Sequence, residues 1–254
     1  MMKALLFILL IIAASASSAF SQQVGAARAE FVVDTGFVRA DTVELWGRIV
    51  ADSANTEEVS NFFVVLPDSM GRASGLPTSK FWWLEYEQDG GDLKCFCFSF
   101  YDMKLVGGEQ SDQLKLIAYG LPSVVPTYTR GDRTTYEMPD TVDINPPPAF
   151  PYQFFESKGI GFEYHPRSNA DTARISGITT QINEACAADM IPSAECTDTK
   201  SDWQAVAVAY DSGGRNAATS AIDAFLTTIA GWRNERPTGY WLLRVRIEHL
   251  RRWW

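Results

Sequence analysis

The sequence predicts an α+β chain in two parts, an antiparallel β-sandwich-like domain followed by a small helical bundle. Three observations carry this. Between Glu30 and about Gly120, apolar residues recur with period two in short β-branched and aromatic runs. Residues 121–152 are then crowded with proline. From about Asn169 the apolar period lengthens to that of a helix.

Residues 1–21 have the order of a secretory signal peptide. Met1-Met2-Lys3 supplies a positive charge, Ala4 to Ala14 is unbroken and apolar, and small residues lead to Ser21. Ala19 and Ser21 suit the −3 and −1 positions of a cleavage site, which makes Gln22 the expected mature start. The apolar run is short for a bilayer span, and no basic stop-transfer cluster follows it. The expected location is therefore extracytoplasmic: secreted, at the cell surface or periplasmic, with no membrane association of the mature form.

The strand runs follow in order from 22 to 120. They are Phe31 to Val33, Val43 to Val50, Phe62 to Leu66, Phe81 to Tyr86, Leu93 to Tyr101 and Leu114 to Tyr119. Turn signals at Asp34–Gly36, Asp68–Gly71, Asp89–Asp92 and Val106–Gly108 separate them. Asp89-Gly90-Gly91-Asp92 is the expected close of a hairpin. Residues 121–168 are expected to form a Pro-rich connection. Pro122, Pro126, Pro139, Pro146 to Pro148 and Pro151 argue for loop rather than a central strand, with Gly159 to Tyr164 as a possible closing strand.

Residues 169–254 are expected to be helical. Ile175, Ile178, Ile182 and Cys186 form one stripe, with Asn169 or Asp171 available as N-cap. Trp203, Val206, Ala207 and Tyr210 form a second, stopped by Gly213-Gly214. Ala218, Ile222, Phe225, Ile229 and Trp232 form the third. Leu243 to Glu248 alternates as a strand would, yet Leu243, Ile247, Leu250 and Trp254 also share a helix face. Pro237 suits a first helical turn, and Arg244, Glu248 and Arg252 pair at i, i+4, so the segment reads as a helix.

With 46% hydrophobic and 13% aromatic residues, the chain can bury a substantial core. Its net charge of −9 becomes −10 without residues 1–21, which argues against nucleic acid or an anionic membrane as partner. Residues 22–150 hold 10 basic and 19 acidic side chains against 11 and 12 in 151–254, a shift that supports the two-part reading.

Four cysteines in an exported chain allow disulfides. Cys186 and Cys196 flank a turn at Met190–Ser193 and are the expected pair. Cys95 and Cys97 stand at i, i+2 of one strand, where reduced thiols or a strained bridge are both open. Two histidines, His165 and His249, give no zinc-type spacing, and no cofactor or metal is expected.

In the last third, Tyr210-Asp-Ser-Gly-Gly-Arg-Asn-Ala-Ala218 is followed by Ile222-Asp-Ala-Phe-Leu226 and Ile229. This pattern resembles the FIMAH-type helical cassette found near the C-termini of exported bacterial proteins. The match covers about 174–254 and is a packing pattern; Trp232 to Gly239 and the terminal Arg-Arg-Trp-Trp depart from it. The resemblance implies a bacterial, extracytoplasmic architecture and no particular activity.

No catalytic residues are assigned. Asp211-Ser212-Gly213-Gly214 resembles a serine-protease nucleophile segment but has only His165 and His249 as candidate bases, and a helix end is the expected role. His249 is expected to be a solvated side chain. Glu87, Asp89 and Asp92 read as an acidic hairpin turn rather than a calcium site. Arg130-Gly131-Asp132 would serve adhesion only if Gly131 were exposed. The best binding hint is a strip of Phe81, Trp83, Glu85 and Glu87 on one side of a strand, where rings beside carboxylates suit a sugar or a peptide; the alternative is that the Pro-rich segment or the helical part covers the rings as a docking surface. The expected function is a non-catalytic binding or structural module for a glycan or cell-surface protein. The alternative is a small extracytoplasmic hydrolase with unidentified carboxylates, marked by a concave pocket where two carboxylates converge. The sequence leaves the oligomeric state open.

Overall fold

The computed structural model describes residues 27–39, 42–66, 74–77, 82–88, 94–100, 104–131, 154–163 and 170–254. The expected signal peptide lies outside them. Among the described residues nine strands, β1 (Ala29–Arg39), β2 (Thr42–Ala51), β3 (Val59–Leu66), β4 (Ser74–Pro77), β5 (Trp82–Gln88), β6 (Lys94–Phe100), β7 (Leu114–Ala118), β8 (Leu121–Gly131) and β9 (Phe154–Glu163), precede three helices. The helices are α1 (Asp171–Ala187), α2 (Cys196–Ala230) and α3 (Pro237–Arg252). The strands form two antiparallel sheets, ordered β1-β2-β7-β4 and β5-β6-β3-β8-β9. The α+β class and its order, strands first and helices last, are as the sequence predicts.

Period two explains the inner faces. Phe31 and Val33 of β1 point inward; a bulge at Asp34 then shifts the phase, so that Gly36 and Val38 point inward instead. A Cβ on Gly36 would lie 2.7 Å from Cγ2 of Val245 in α3, so the bare backbone lets that helix approach β1. The β5–β6 pairing runs from Trp82↔Phe100 to Gln88↔Lys94, the expected hairpin, although its turn lies outside the described residues.

The Pro-rich stretch is the main correction. Residues 121–131 are not loop but β8, which sits between β3 and β9. Proline is tolerated because β3 pairs only with the half from Thr127 to Gly131, leaving the earlier half bonded to β9 alone. There the Val124 N–H points away from β9 and donates to Oε1 of Gln181 in α1 (2.9 Å). By the two-residue period, the nitrogens of Pro122 and Pro126 face that same edge, so neither removes a ladder bond. β9 covers the expected closing strand from Gly159 to Glu163 and starts earlier, at Phe154; Tyr164 lies outside the described residues.

The helices follow their predicted stripes, with one change at a start. Ala170, not Asn169 or Asp171, is the cap residue of α1, and no side chain caps it. Asp171 is instead a buried first-turn residue that accepts Tyr210 Oη–H (3.1 Å) and Arg215 Nε–H (2.8 Å). The second and third stripes lie on one element, α2, broken at Gly214, whose φ of 66° is left-handed. Trp203 packs edge-on to Phe225 across the break, with centroids 5.1 Å apart, and donates its indole N–H to the Ile175 carbonyl (3.1 Å). The Cys186–Cys196 disulfide, Cα atoms 5.9 Å apart, ties the end of α1 to the start of α2. Among the described residues no helix is long and apolar enough to cross a membrane.

α3 is buried on most sides, from Tyr240 to Leu243 and again at Val245, Ile247 and Leu250. That explains its ambiguous sequence: a helix buried on most sides carries apolar residues beyond a single stripe. It binds both sheets. Thr238 Oγ1 accepts the Val33 N–H (3.2 Å) and Arg252 donates to the Val38 carbonyl, both on the open edge of β1. Arg246, 3% exposed, donates through Nη1 to the Pro122 carbonyl (2.6 Å) and through Nη2 to Glu163 of β9. Burial pulls its pKa down, while Glu163 and Glu184 favour the charged form. Arg244 pairs with Glu248 (2.8 Å) as expected, whereas Arg252 is taken by Val38. Strands and helices thus share one hydrophobic core.

Arg246→Ala should strand the Glu163 carboxylate and the Pro122 carbonyl, costing about 3–5 kcal/mol in a urea unfolding titration. A loss below about 1 kcal/mol would show that water replaces the guanidinium. Replacing Cys186 and Cys196 together by serine should cost about 2–3 kcal/mol, the entropy of so short a loop, and reduction of the unaltered chain should reproduce it.

Candidate functional site

Two adjoining clefts open where the start of β1, the end of β2 and the middle of β9 meet the turns around α1 and α3. The larger, about 490 Å³, is lined by Arg28, Glu30, Asp52, Ser157 and Lys158 among others. The smaller, about 270 Å³, is lined by Asp189, Glu235, Arg236 and Thr238, and shares Glu30 and Lys158 with the first. Glu30 is therefore the common wall.

Local chemistry fixes the rim. Asn55 clamps the Arg28 backbone, accepting its N–H through Oδ1 (2.7 Å) and donating through Nδ2 to its carbonyl (2.8 Å). Asp52 Oδ1 accepts the Ala54 N–H (2.9 Å), an Asx turn that shapes the corner after β2. Asp189 ends α1 in the left-handed region, φ 55°, which a short polar side chain tolerates. Its carboxylate pairs with Arg236 at 3.1 Å.

The Glu30↔Val50 register makes Asp52 a diagonal neighbour of Glu30 on the same face. The cleft walls raise the Glu30 carboxyl pKa above its ordinary 4.5 although the side chain keeps contact with solvent; Arg236 opposes the rise, and Asp52 and Asp189 add to it. Acids and bases interleave around the opening, so it offers a polar ligand partners of both signs. Of the carboxylates, Asp52 and Asp189 are engaged in structural bonds, and the pKa of Glu30 is raised.

The sequence-predicted site residues fall elsewhere. Phe81 lies outside the described residues. Trp83, Glu85 and Glu87 occupy alternate positions of β5, at the end of the five-stranded sheet, opposite Ser99, Cys97 and Cys95. Asp89, Asp92 and His165 lie outside the described residues. Gly131 is buried and pairs with Val59, and a Cβ there would lie 2.2 Å from Oε2 of Glu57, which removes the adhesion reading of Arg130 to Asp132. His249 is buried, not solvated, and accepts the Trp253 indole N–H at Nε2 (3.1 Å). Ser212 donates to the Ala209 carbonyl (3.1 Å) beside the Gly214 break, in keeping with a helix-end role. Sequence reading missed Glu30 and Lys158, since each is an ordinary charge in an alternating strand; only the fold brings them together.

No protein-family model matches this chain, and no curated protein matches it.

Glu30 penalises its own ionised form, so its contribution falls as pH rises from 4.5 through its raised native value. Glu30→Gln should therefore raise the urea midpoint relative to the unaltered chain at pH 7. The gain should vanish below pH 4.5, where both states are protonated. An equal gain at both pH values would show that the carboxyl pKa is not raised.

Proposed function

We propose that this chain is an exported, non-catalytic binding module that takes a glycan or a cell-surface protein in the Glu30 cleft. The observation that carries the reading is the cleft itself, open and lined by interleaved charges from β1, β2, β9 and the helical turns. Export is supported by the signal-peptide pattern of residues 1–21 and by a cysteine pair of the kind oxidising compartments favour. The likeness of residues 174–254 to a FIMAH-type cassette agrees with it.

The alternative, a hydrolase, has one observation in its favour: Glu30, with its raised pKa, shares the cleft with Asp52. Against it, Asp52 and Asp189 are held in the turn and the ion pair that shape the rim.

The test is a glycan and protein-ligand array probed with the whole mature chain, because strands and helices share one core and residues 22–165 alone would expose it. Arg28→Ala combined with Lys158→Ala should weaken the captured ligand about 10-fold or more. Unchanged affinity would remove the cleft, and loss on Trp83→Ala instead would move the site to β5. Turnover that disappears in Glu30→Gln while binding persists would replace the module by the hydrolase.

A further inference from the structure

β9 ends the five-stranded sheet, so one of its edges has no strand beside it. The register fixes which groups face that edge. The Val124 N–H points away from β9, so the Val124↔Ile160 pair exchanges no main-chain bonds. By the same alternation, Lys158 opposite Pro126 and Glu156 opposite Tyr128 bond nothing in β8. Their N–H and C=O groups point off the sheet, and both residues are exposed. α3 and Gln181 close β1 from Val33 onward and the uncovered half of β8. Among the described residues no such bond reaches Glu156 or Lys158.

This open edge runs into the larger cleft, lined by Ser157 and Lys158 from β9 and by Ala29, Glu30 and Asp52 beyond. A strand added to a sheet fills about 160 Å³ per residue, from its rise and the strand and sheet spacings. The cleft, about 490 Å³, therefore takes about three residues of one strand and no second sheet. The side chains of Glu30 and Lys158 share both clefts, yet among the described residues neither forms an ion pair or hydrogen bond. A lysine at an open edge repels an arbitrary strand, whereas a carboxylate opposite it makes a favourable cross-strand pair. Glu30 offers the same to a basic side chain.

We propose that the ligand of the Glu30 cleft is an extended peptide that adds to β9 as a further strand, through the main chain of Glu156 and Lys158. An acidic side chain lies against Lys158 and a basic one against Glu30. The inference rests on the Glu30 cleft as the binding site and narrows its ligand to a protein strand.

The test is calorimetric titration of the whole mature chain with the end-blocked peptide Thr-Val-Thr-Glu-Thr-Lys-Thr and its fully N-methylated form. The peptide should saturate at about 1 mM or below, and the N-methylated form should not bind. Glu156→Pro removes an outward N–H and no ladder bond, so the circular dichroism is kept while affinity falls about 10-fold. Lys158→Gln should weaken binding about threefold. No saturation by the peptide, or equal binding of the N-methylated form, overturns strand addition even if Glu156→Pro fails to fold. A glycan captured through Arg28 and Lys158 overturns it too but leaves the cleft reading standing, whereas loss on Trp83→Ala removes both. A dimer of the unaltered chain that Glu156→Pro dissociates overturns the peptide in favour of a second copy.

Discussion

Arg246 leaves α3, loses almost all contact with water, and donates to the Pro122 carbonyl of β8 and the Glu163 carboxylate of β9. Gln181 of α1 completes the arrangement, accepting the Val124 N–H on the same edge and donating to Glu184 (2.9 Å) and Glu163 (3.5 Å). The half of β8 that β3 does not cover would otherwise present unpaired main-chain groups, which a sheet must satisfy or hide. At the other sheet, Thr238 and Arg252 do the same for β1. α3, with Gln181 of α1, therefore closes the open edges of two sheets with side chains instead of with another strand. A buried guanidinium of this kind adds little net stability over an apolar replacement. Its value is register: removing it leaves charge and carbonyls stranded, so only one docking of α3 satisfies the edges.

That docking also decides where ligands can go. The smaller of the two adjoining clefts lies on a seam between strands and helices, whereas the larger is lined by strands and their turns alone. The Glu30 cleft is walled by β1, β2 and β9 on one side and by the turns at Asp189 and Arg236 on the other. The disulfide between Cys186 and Cys196 spans the turn that carries Asp189, fixing one wall of that cleft. Concavity and charge there come from tertiary docking and not from a local motif, which fits a chain without a recognisable catalytic signature.

Much of the fold was legible because its signals are local. The alternation of Phe31 and Val33 marked β1, the spacing of Ile175, Ile178 and Ile182 marked α1, and the turn between Cys186 and Cys196 marked their bridge. Pro122 and Pro126 misled because proline reports a missing donor, not a missing strand. Whether that donor is needed depends on where β3 ends. His249 looked solvated from its basic neighbours, yet α3 is enclosed on most sides and buries it. The sites were not legible at all. Glu30 and Lys158 are 128 positions apart in sequence.

The central claim is that α3 is structural to both sheets rather than a bundle resting against them. Native-state hydrogen exchange tests it most directly, by following the amide of Val33, held by Thr238 of α3, and that of Val124, held by Gln181 of α1 packed against α3, beside those of Val245 and Ile247. If α3 closes both edges, all four exchange through one opening, with free energies that agree within about 0.5 kcal/mol and fall together as denaturant is added. If α3 amides exchange through a lower-energy opening while Val33 and Val124 stay protected, the sheets stand without the helix and the account is wrong.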